Sequence, residues 1–408
     1  MTDIRLPAGW TFAALLAGLA LGWALSGGPA AEMAAAIAGP VGSIWLRGLQ
    51  MTIVPLVAAL LVIGIVRMVA TARAGPMARR TLLTFLVVLA AGTLFAAFVT
   101  PALLEAFPIP GRAAAALAAE NAAAQTVPGI GAFFESLVAD NVLAAAAETA
   151  MLPLIVFFSL FAVAITRLKE APHRELLVGL FEALGEAMLV IIGWVLWLAP
   201  LGVFALALGV GLTSGSDAFA ALGHYILLVT GLGTVVLIAA YGIGAWHNGF
   251  VTFARAMLPS QAVAISTQSS LASLPAMLQS CRLLGVRETT ADFVLPLAVA
   301  LFRATGPAMN LGVAIYVAKL AGVPLTPGAI AAGVAVALAT TIGSVSLPGA
   351  ISFVTAIGPI AIAMGVPIEP LAILVAVEML PDIMRTLGNV TMDVAVTSRV
   401  ERTTPASG

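Results

Sequence analysis

Glu378, Asp382, Arg385, Thr386, Asn389 and Asp393 lie within residues 371–398, a stretch otherwise apolar and long enough to cross a bilayer. Read as a helix, offsets of -4, +3, +4, +7 and +11 from Asp382 fall within about 100° of arc, so the six residues form one stripe. A charge at the bilayer centre costs about 2.5–3.5 kcal/mol on insertion scales, so such residues pair with one another and mark a pathway. Arg385 offers a planar fork that suits a carboxylate. Asp382 can accept an ammonium, and Asn389 with Asp393 offers oxygen ligands to a small cation. The competing reading is an Arg–Asp pair that only staples helices together.

Three further segments bear on the same chemistry. Arg303 stands in the apolar run Leu301-Phe302-Arg303-Ala304-Thr305-Gly306-Pro307, where Gly306-Pro307 is expected to break the helix and free backbone carbonyls. On this reading Arg303 is an internal counter-charge to Asp393 rather than a substrate contact. Residues 252–287 are polar in the middle, from Ser266 through Ser269 and Ser270 to Ser273-Leu274-Pro275. Residues 325–366 repeat the pattern around Thr340, Thr341, Ser344, Ser346, Leu347, Pro348 and Gly349. Each reads as two short helices meeting at an irregular tip, which at membrane depth survives only inside protein or beside a water-filled cavity. Paired broken segments point to inverted repeats and to a transporter's binding site. Kinked helices with polar packing faces are the alternative, and the matching tips disfavour it.

The elements that must hold these groups are membrane helices. Of 408 residues, 61% are hydrophobic and 9% charged, and the mean hydropathy is +1.11. Soluble domains carry about 25% charged residues. Spans are expected at 10–26, 41–68, 80–107 and 174–210, with a broken segment between 112 and 168 and a sixth span at 217–247. The runs are continuously apolar, unlike the alternating strands of an outer-membrane barrel. Residues 10–26 read as a retained first helix rather than a signal peptide, and the single cysteine, Cys281, supports no disulfide framework.

Basic residues collect near Arg5, at 67–80, at 167–174 and at 399–402, so both termini and those loops are expected on the cytoplasmic side of an inner (plasma) membrane. HExxH, GxSxG and a cysteine–histidine pairing are absent, and His173, His224 and His247 are scattered, so neither an enzyme nor a metal site is expected. No cofactor is expected beyond a coupling ion, Na⁺ or H⁺, and no nucleic-acid partner. The partners anticipated are lipid and a small anionic or zwitterionic solute.

Together these residues resemble the dicarboxylate/amino acid:cation symporter family, the glutamate transporter homologues. Asp382, Arg385, Thr386, Asn389, Val390, Thr391 and Asp393 match the family's Asp-x-x-Arg-Thr-x-x-Asn-Val-Thr-x-Asp. Ser269-Ser270 with Ser273-Leu274-Pro275 is similar to the first hairpin tip, and Ser346-Leu347-Pro348-Gly349-Ala350 to the second. Ile44 to Leu61, with Arg47, Met51 and Pro55, resembles the second span.

The resemblance implies an all-α polytopic membrane protein with eight transmembrane helices, two re-entrant hairpins and inverted repeats, forming a homotrimer that works as an elevator. Residues 1–79 (spans 1–2) and 112–214 (spans 4–5) would be scaffold. Residues 80–111 (span 3) and 215–408 (span 6, hairpin 1, span 7, hairpin 2 and span 8) would be the moving transport domain. Arg385 then matches the position that binds a substrate's side-chain carboxylate, and Asp382 the one that binds its amino group. Asn389 and the backbone at Ser269 and Ser270 match positions for the main-chain carboxylate. Ser346, Pro348, Gly349 and Thr386 complete the candidate substrate site, and Asn389 with Asp393 matches sodium positions.

The departures carry as much meaning. Where the family's seventh span reads Asn-Met-Asp-Gly-Thr, this chain reads Arg303-Ala304-Thr305-Gly306-Pro307. In the third span Thr93 remains, while Ala90 and Leu94 replace a sodium-site Tyr and Ser, and Ile351 replaces a small Gly at the second tip. Arg303 thus puts a permanent cation where the family holds a removable one. The expectation is a symporter of acidic amino acids or dicarboxylates with reduced or absent sodium coupling. Proton coupling through Glu378 or Asp382, exchange of another small amino acid, and a non-transporting paralogue are the alternatives.

Overall fold

The structure, a computed structural model, describes residues 8–110, 135, 137–214, 217–343 and 349–403. The described residues are helical throughout apart from turns and short connections. In chain order the helices are α1 (Ala8–Leu25), α2 (Ala30–Gln50), α3 (Ile53–Ala72), α4 (Pro76–Ala106), α5 (Val142–Ala147), α6 (Met151–Ile165), α7 (Ala171–Trp197) and α8 (Ala199–Ser214). Then come α9 (Asp217–Asn248), α10 (Phe250–Thr267), α11 (Leu274–Leu283), α12 (Glu288–Leu301), α13 (Thr305–Leu320), α14 (Pro327–Gly343), α15 (Gly349–Ala363), α16 (Glu369–Leu374) and α17 (Met379–Thr403). This is an all-α polytopic membrane protein. The connection expected at 112–130 lies outside the described residues.

Proline sets where the long apolar runs break. Pro55, Pro153, Pro307 and Pro381 each stand third in their helices, α3, α6, α13 and α17. Pro40, Pro101, Pro259, Pro296 and Pro359 are carried inside helices here, but a proline, lacking an N–H, costs least in the first turn of a helix, where that donor has no intrahelical partner. Three expected spans therefore divide. The run at 41–68 becomes α2 and α3, bent at Met51-Thr52. The run at 174–210 becomes α7 and α8, interrupted at Leu198 ahead of Pro200. The stripe helix starts at Met379 rather than 371, so Glu378 sits in the turn before it.

Among the amino-terminal helices, α8 packs on α1 and α2, while α3 packs on α6 and α7 and also on the hairpin helix α14. Further along the chain, α17 packs on α9, α10 and α12, and α13 on α4, α9 and α15. The hairpin helices α10 and α11 lie against each other, as do α14 and α15. Both expected hairpins thus form helix pairs. The tip of the second, 344–348, lies outside the described residues, and with it Ser346 and Pro348.

Burial separates lipid-facing from interior helices. The most apolar windows of α4, α7 and α9 are only 28%, 22% and 28% buried, whereas the window through α12 and α13 is 78% buried. Leu83, Phe98, Trp194, Leu227 and Trp246 are exposed apolar side chains on the outer helices. In water such a surface would be an aggregation hazard, whereas hydrocarbon is its natural solvent. Of these windows the least apolar, through α12 and α13, is thus the most buried.

One seam depends on glycine. Gly18 and Gly22 on α1 form a small-xxx-small pair facing α8, the geometry that lets two membrane helices approach backbone to backbone. A Cβ at Gly18 would lie 2.6 Å from the Phe204 carbonyl oxygen, and one at Gly22 would collide with that of Leu208. Neither obstacle is a movable side chain. Gly22→Val is expected to lower the thermal unfolding temperature in detergent by several degrees, from an overpacking cost of about 1–3 kcal/mol. Gly231→Val, whose Cβ meets nothing within 4 Å, is the control and should leave it nearly unchanged.

Candidate substrate and ion site

Arg385 projects from the first turns of α17 into a buried polar knot. Its Nη2 donates to Glu378 Oε1 at 2.6 Å and its Nη1 to Asn310 Oδ1 at 2.6 Å, while Nε stands 3.3 Å from Asp382 Oδ1. Tyr225 on α9 donates its hydroxyl to the other Glu378 oxygen at 3.1 Å. Glu378 is 1% exposed, Asp382 5%, Arg385 8% and Asn310 6%, so water contributes little to their solvation. Each charge must then be satisfied by the others.

A second set of contacts joins α17 to the break between α12 and α13. The helix stops at Leu301 and restarts at Thr305, leaving Phe302, Arg303 and Ala304 non-helical, as Gly306-Pro307 led one to expect. The Thr305 backbone N–H donates to Asn389 Oδ1 at 2.9 Å, and the Thr305 hydroxyl stands 2.9 Å from that oxygen and 3.1 Å from the Arg385 carbonyl. Gly388 makes room for this contact, since a Cβ there would collide with the Thr305 methyl group. Asn389 therefore spends its side-chain oxygen on Thr305.

Arg303, Gly306, Asn310, Thr341, Ala356, Arg385 and Asn389 line a small cavity with about 10 Å³ of free volume, room for roughly one water. The cavity is the meeting point of the α12–α13 break, the stripe and both arms of the second hairpin. Arg303 lies within electrostatic reach of Asp382, Arg385 and Asp393. Between Arg303 and Asp393 the interaction is electrostatic, with no direct hydrogen bond. Both Asp393 carboxylate oxygens are buried and have no hydrogen-bond partner among the described residues. Two guanidiniums, Arg303 and Arg385, thus stand among three buried acidic side chains, Glu378, Asp382 and Asp393.

The expected site residues are only partly gathered. Asp382, Arg385 and Asn389 converge with Arg303, and Thr386 is buried beside them on α17. Gly349 begins α15, whose Ala356 lines the cavity. Ser269 and Ser270 line no part of that cavity. The Ser269 carbonyl accepts from the Ser273 hydroxyl at 2.9 Å and its side chain is used by the Ala272 N–H, so this serine serves its own tip. Gln268 just before it has φ 50, a left-handed value uncommon outside glycine, which turns the chain from α10 toward α11. Of the histidines, His224 stands 3.0 Å from the Phe107 carbonyl and His173 faces Glu170 at the surface.

Asn310 and Tyr225 belong to the knot but are not singled out by the sequence, whereas Thr305 is, as the residue standing where the family has an Asp. Asn310 carried a signal: it is one helical turn beyond Gly306 and two beyond Arg303, on the same face of an apolar segment. Tyr225 carried none, because only the packing of α9 on α17 brings it to Glu378.

An all-α membrane fold with oppositely charged side chains buried at the junction of broken helices defines a transport protein rather than an enzyme. The chain belongs to the sodium:dicarboxylate symporter family, whose profile matches residues 8–403. It is 27% identical over 372 residues to the proton/glutamate-aspartate symporter of Escherichia coli (strain K12), covering 86% of this chain and 82% of that protein. It is 28% identical over 365 residues to the proton/sodium-glutamate symport protein of Bacillus subtilis (strain 168), with the same coverage. It is also 31% identical over 179 residues to the human neutral amino acid transporter B(0), covering 42% of this chain and 32% of that protein.

Truncating Arg385 would leave Glu378 and Asp382 buried without their cation. Arg385→Ala is expected to destabilise the protein by about 3–5 kcal/mol, and adding Glu378→Gln should recover part of that loss. Thermal unfolding of the two single variants and the double variant checks this. Additive losses would show that the two side chains do not interact.

Proposed function

We propose that this chain is a secondary active symporter of acidic amino acids or dicarboxylates in which protons, rather than sodium, supply the driving gradient. The observation that carries the reading is the state of the matching cation position. Asp393 fits a cation, being buried with no hydrogen-bond partner among the described residues, but the groups around it do not complete a sodium shell. Arg303 brings a fixed positive charge. Thr305 presents donors to Asn389 and so uses up the oxygen a sodium ion would need. A hard cation wants six or so oxygen ligands, and two guanidiniums nearby oppose its entry. A fixed guanidinium neutralises carboxylates in every state and contributes no coupling energy, because it binds neither side of the membrane selectively. The E. coli relative, named for proton coupling, lends support.

In this reading Arg385 receives a substrate carboxylate, Asp382 its ammonium, and Thr386 and Asn389 complete the pocket. Ser269, Ser270, Ser346, Pro348 and Gly349 are assigned to substrate binding on their match to the family's hairpin-tip motifs. Residues 80–111 and 215–408 move as a transport domain against a scaffold of 1–79 and 112–214, an elevator carried in a homotrimer. Both termini face the cytoplasm, and the location is the inner (plasma) membrane. The packing of α17 on α9, α10 and α12 and of α13 on α4 and α15 supports the division, and the basic clusters at 67–80 and 167–174 support the sidedness.

A second reading, transport of small neutral amino acids, is favoured by one observation: Arg385 already holds an internal carboxylate, which leaves no evident seat for a second acidic group. The resemblance to neutral amino acid transporters is consistent with it.

Uptake of labelled aspartate into proteoliposomes tests the proposal. An inward proton gradient should accelerate uptake, and Arg385→Ala should abolish it. The double variant Arg303→Asn/Thr305→Asp should acquire a dependence on the sodium gradient that the parent lacks. Uptake of alanine or serine without aspartate would move the assignment to the second reading. A double variant indifferent to sodium would remove the role given to Arg303.

A further inference from the structure

We infer that Glu378 is an internal stand-in for the substrate's carboxylate, and that an acidic substrate displaces it from Arg385 as it takes up a proton. The inference rests on the proposed acidic substrate and adds a specificity-determining residue that also receives the coupling proton. Arg385 normally recognises a carboxylate through two N–H groups of its fork. Here Nη2 donates to Glu378 and Nη1 to Asn310, each at 2.6 Å, so both groups a substrate would need are occupied from within. Glu378 is held from its other oxygen by Tyr225 at 3.1 Å.

The position of Glu378 makes it the replaceable partner. Asp382 and Asn310 are fixed within helices, whereas Glu378 lies in the turn between α16 and α17, where its side chain is not bound to a helical face. The groups facing it are few and each is accounted for. From α17 they are Arg385 and Asp382, and from α9 Tyr225, behind which Tyr316 of α13 and His224 stack. Among the described residues no second cation contacts it. A Glu378 anion driven off Arg385 would be a buried charge facing Asp382 with only a tyrosine hydroxyl for company, which is far costlier than a neutral acid.

Charge balance follows directly. The incoming carboxylate brings one negative charge to Arg385, and one proton from the aqueous side converts Glu378 to a carboxylic acid, so the cluster's net charge is unchanged by those two events. A neutral amino acid, lacking the second carboxylate, leaves Glu378 in place and binds without that proton. The same residue therefore links substrate class to proton coupling.

The test is the affinity of purified protein for aspartate and for alanine between pH 5 and pH 9, in wild type, Glu378→Gln and Tyr225→Phe. In wild type the Kd for aspartate should rise about tenfold per pH unit over the alkaline part of the range, the mark of one linked proton. Glu378→Gln, neutral and isosteric, should bind aspartate with a pH-independent Kd. Tyr225→Phe should keep the pH slope, which separates the proton site from its neighbour and does not depend on the folding of Glu378→Gln. A wild-type Kd for aspartate that ignores pH, or a Glu378→Gln slope equal to wild type, would overturn the inference. If wild type binds alanine but no aspartate at any pH, the acidic-substrate reading fails. The role of Glu378 then stands if Glu378→Gln gains aspartate binding and falls if it does not.

Discussion

The guanidinium of Arg385, buried and held between Glu378, Asp382 and Asn310, is the interaction on which the rest of this structure turns. A charge of that kind in the interior of a membrane protein is tolerated only when its partners come from several elements at once. Glu378 comes from the turn before α17, Asp382 from its first turn and Asn310 from α13, and Tyr225 of α9 backs the cluster. The packing of α17 against α9, and of α13 against both, exists in a form that brings these atoms together. Replacing such a network with apolar groups is often neutral or stabilising. Its retention in so apolar a chain is thus better explained by recognition and coupling than by stability.

The second constraint is the placement of proline. Four helices begin with a proline in their third position, and two of those starts, at Thr305 and Met379, flank the polar knot. Each break frees backbone groups and relieves a side chain of the helical repeat. Arg303 and Glu378 both occupy such non-helical positions. The two charged residues that distinguish the reading of this protein thus sit where the backbone has been interrupted. That is where irregular structure at membrane depth is found in transporters generally.

Much of this was legible in the amino-acid sequence, for physical reasons that differ by element. Apolar runs about 20 residues long have one meaning in a bilayer, so the membrane helices and both hairpin pairs were readable, and the polar stripe of α17 stood out against its apolar surroundings. Helix boundaries were less readable: 371–398 looked continuous because Pro381 is inconspicuous in an apolar run, although its missing N–H moves the start to Met379. The partners within the site were least readable. Arg303 reads as a counter-charge to Asp393 because it sets a fixed cation in the segment that resembles the family's cation-binding stretch. In three dimensions Arg303 acts on Asp393 electrostatically and also shares a cavity with Arg385, while the Asp393 oxygens find no hydrogen-bond partner among the described residues. Tyr225 lies 153 positions from Glu378, and nothing local to either residue announces their contact.

The central claim is that a fixed guanidinium has taken the place of a removable sodium ion. Its most direct test is the effect of sodium on the aspartate affinity of the purified protein, measured by calorimetry with choline as the replacement cation at constant ionic strength and pH. The same Kd is expected in sodium and in choline. A Kd that falls steeply as sodium replaces choline would show that an ion binds beside Asp393 despite Arg303, and would contradict it.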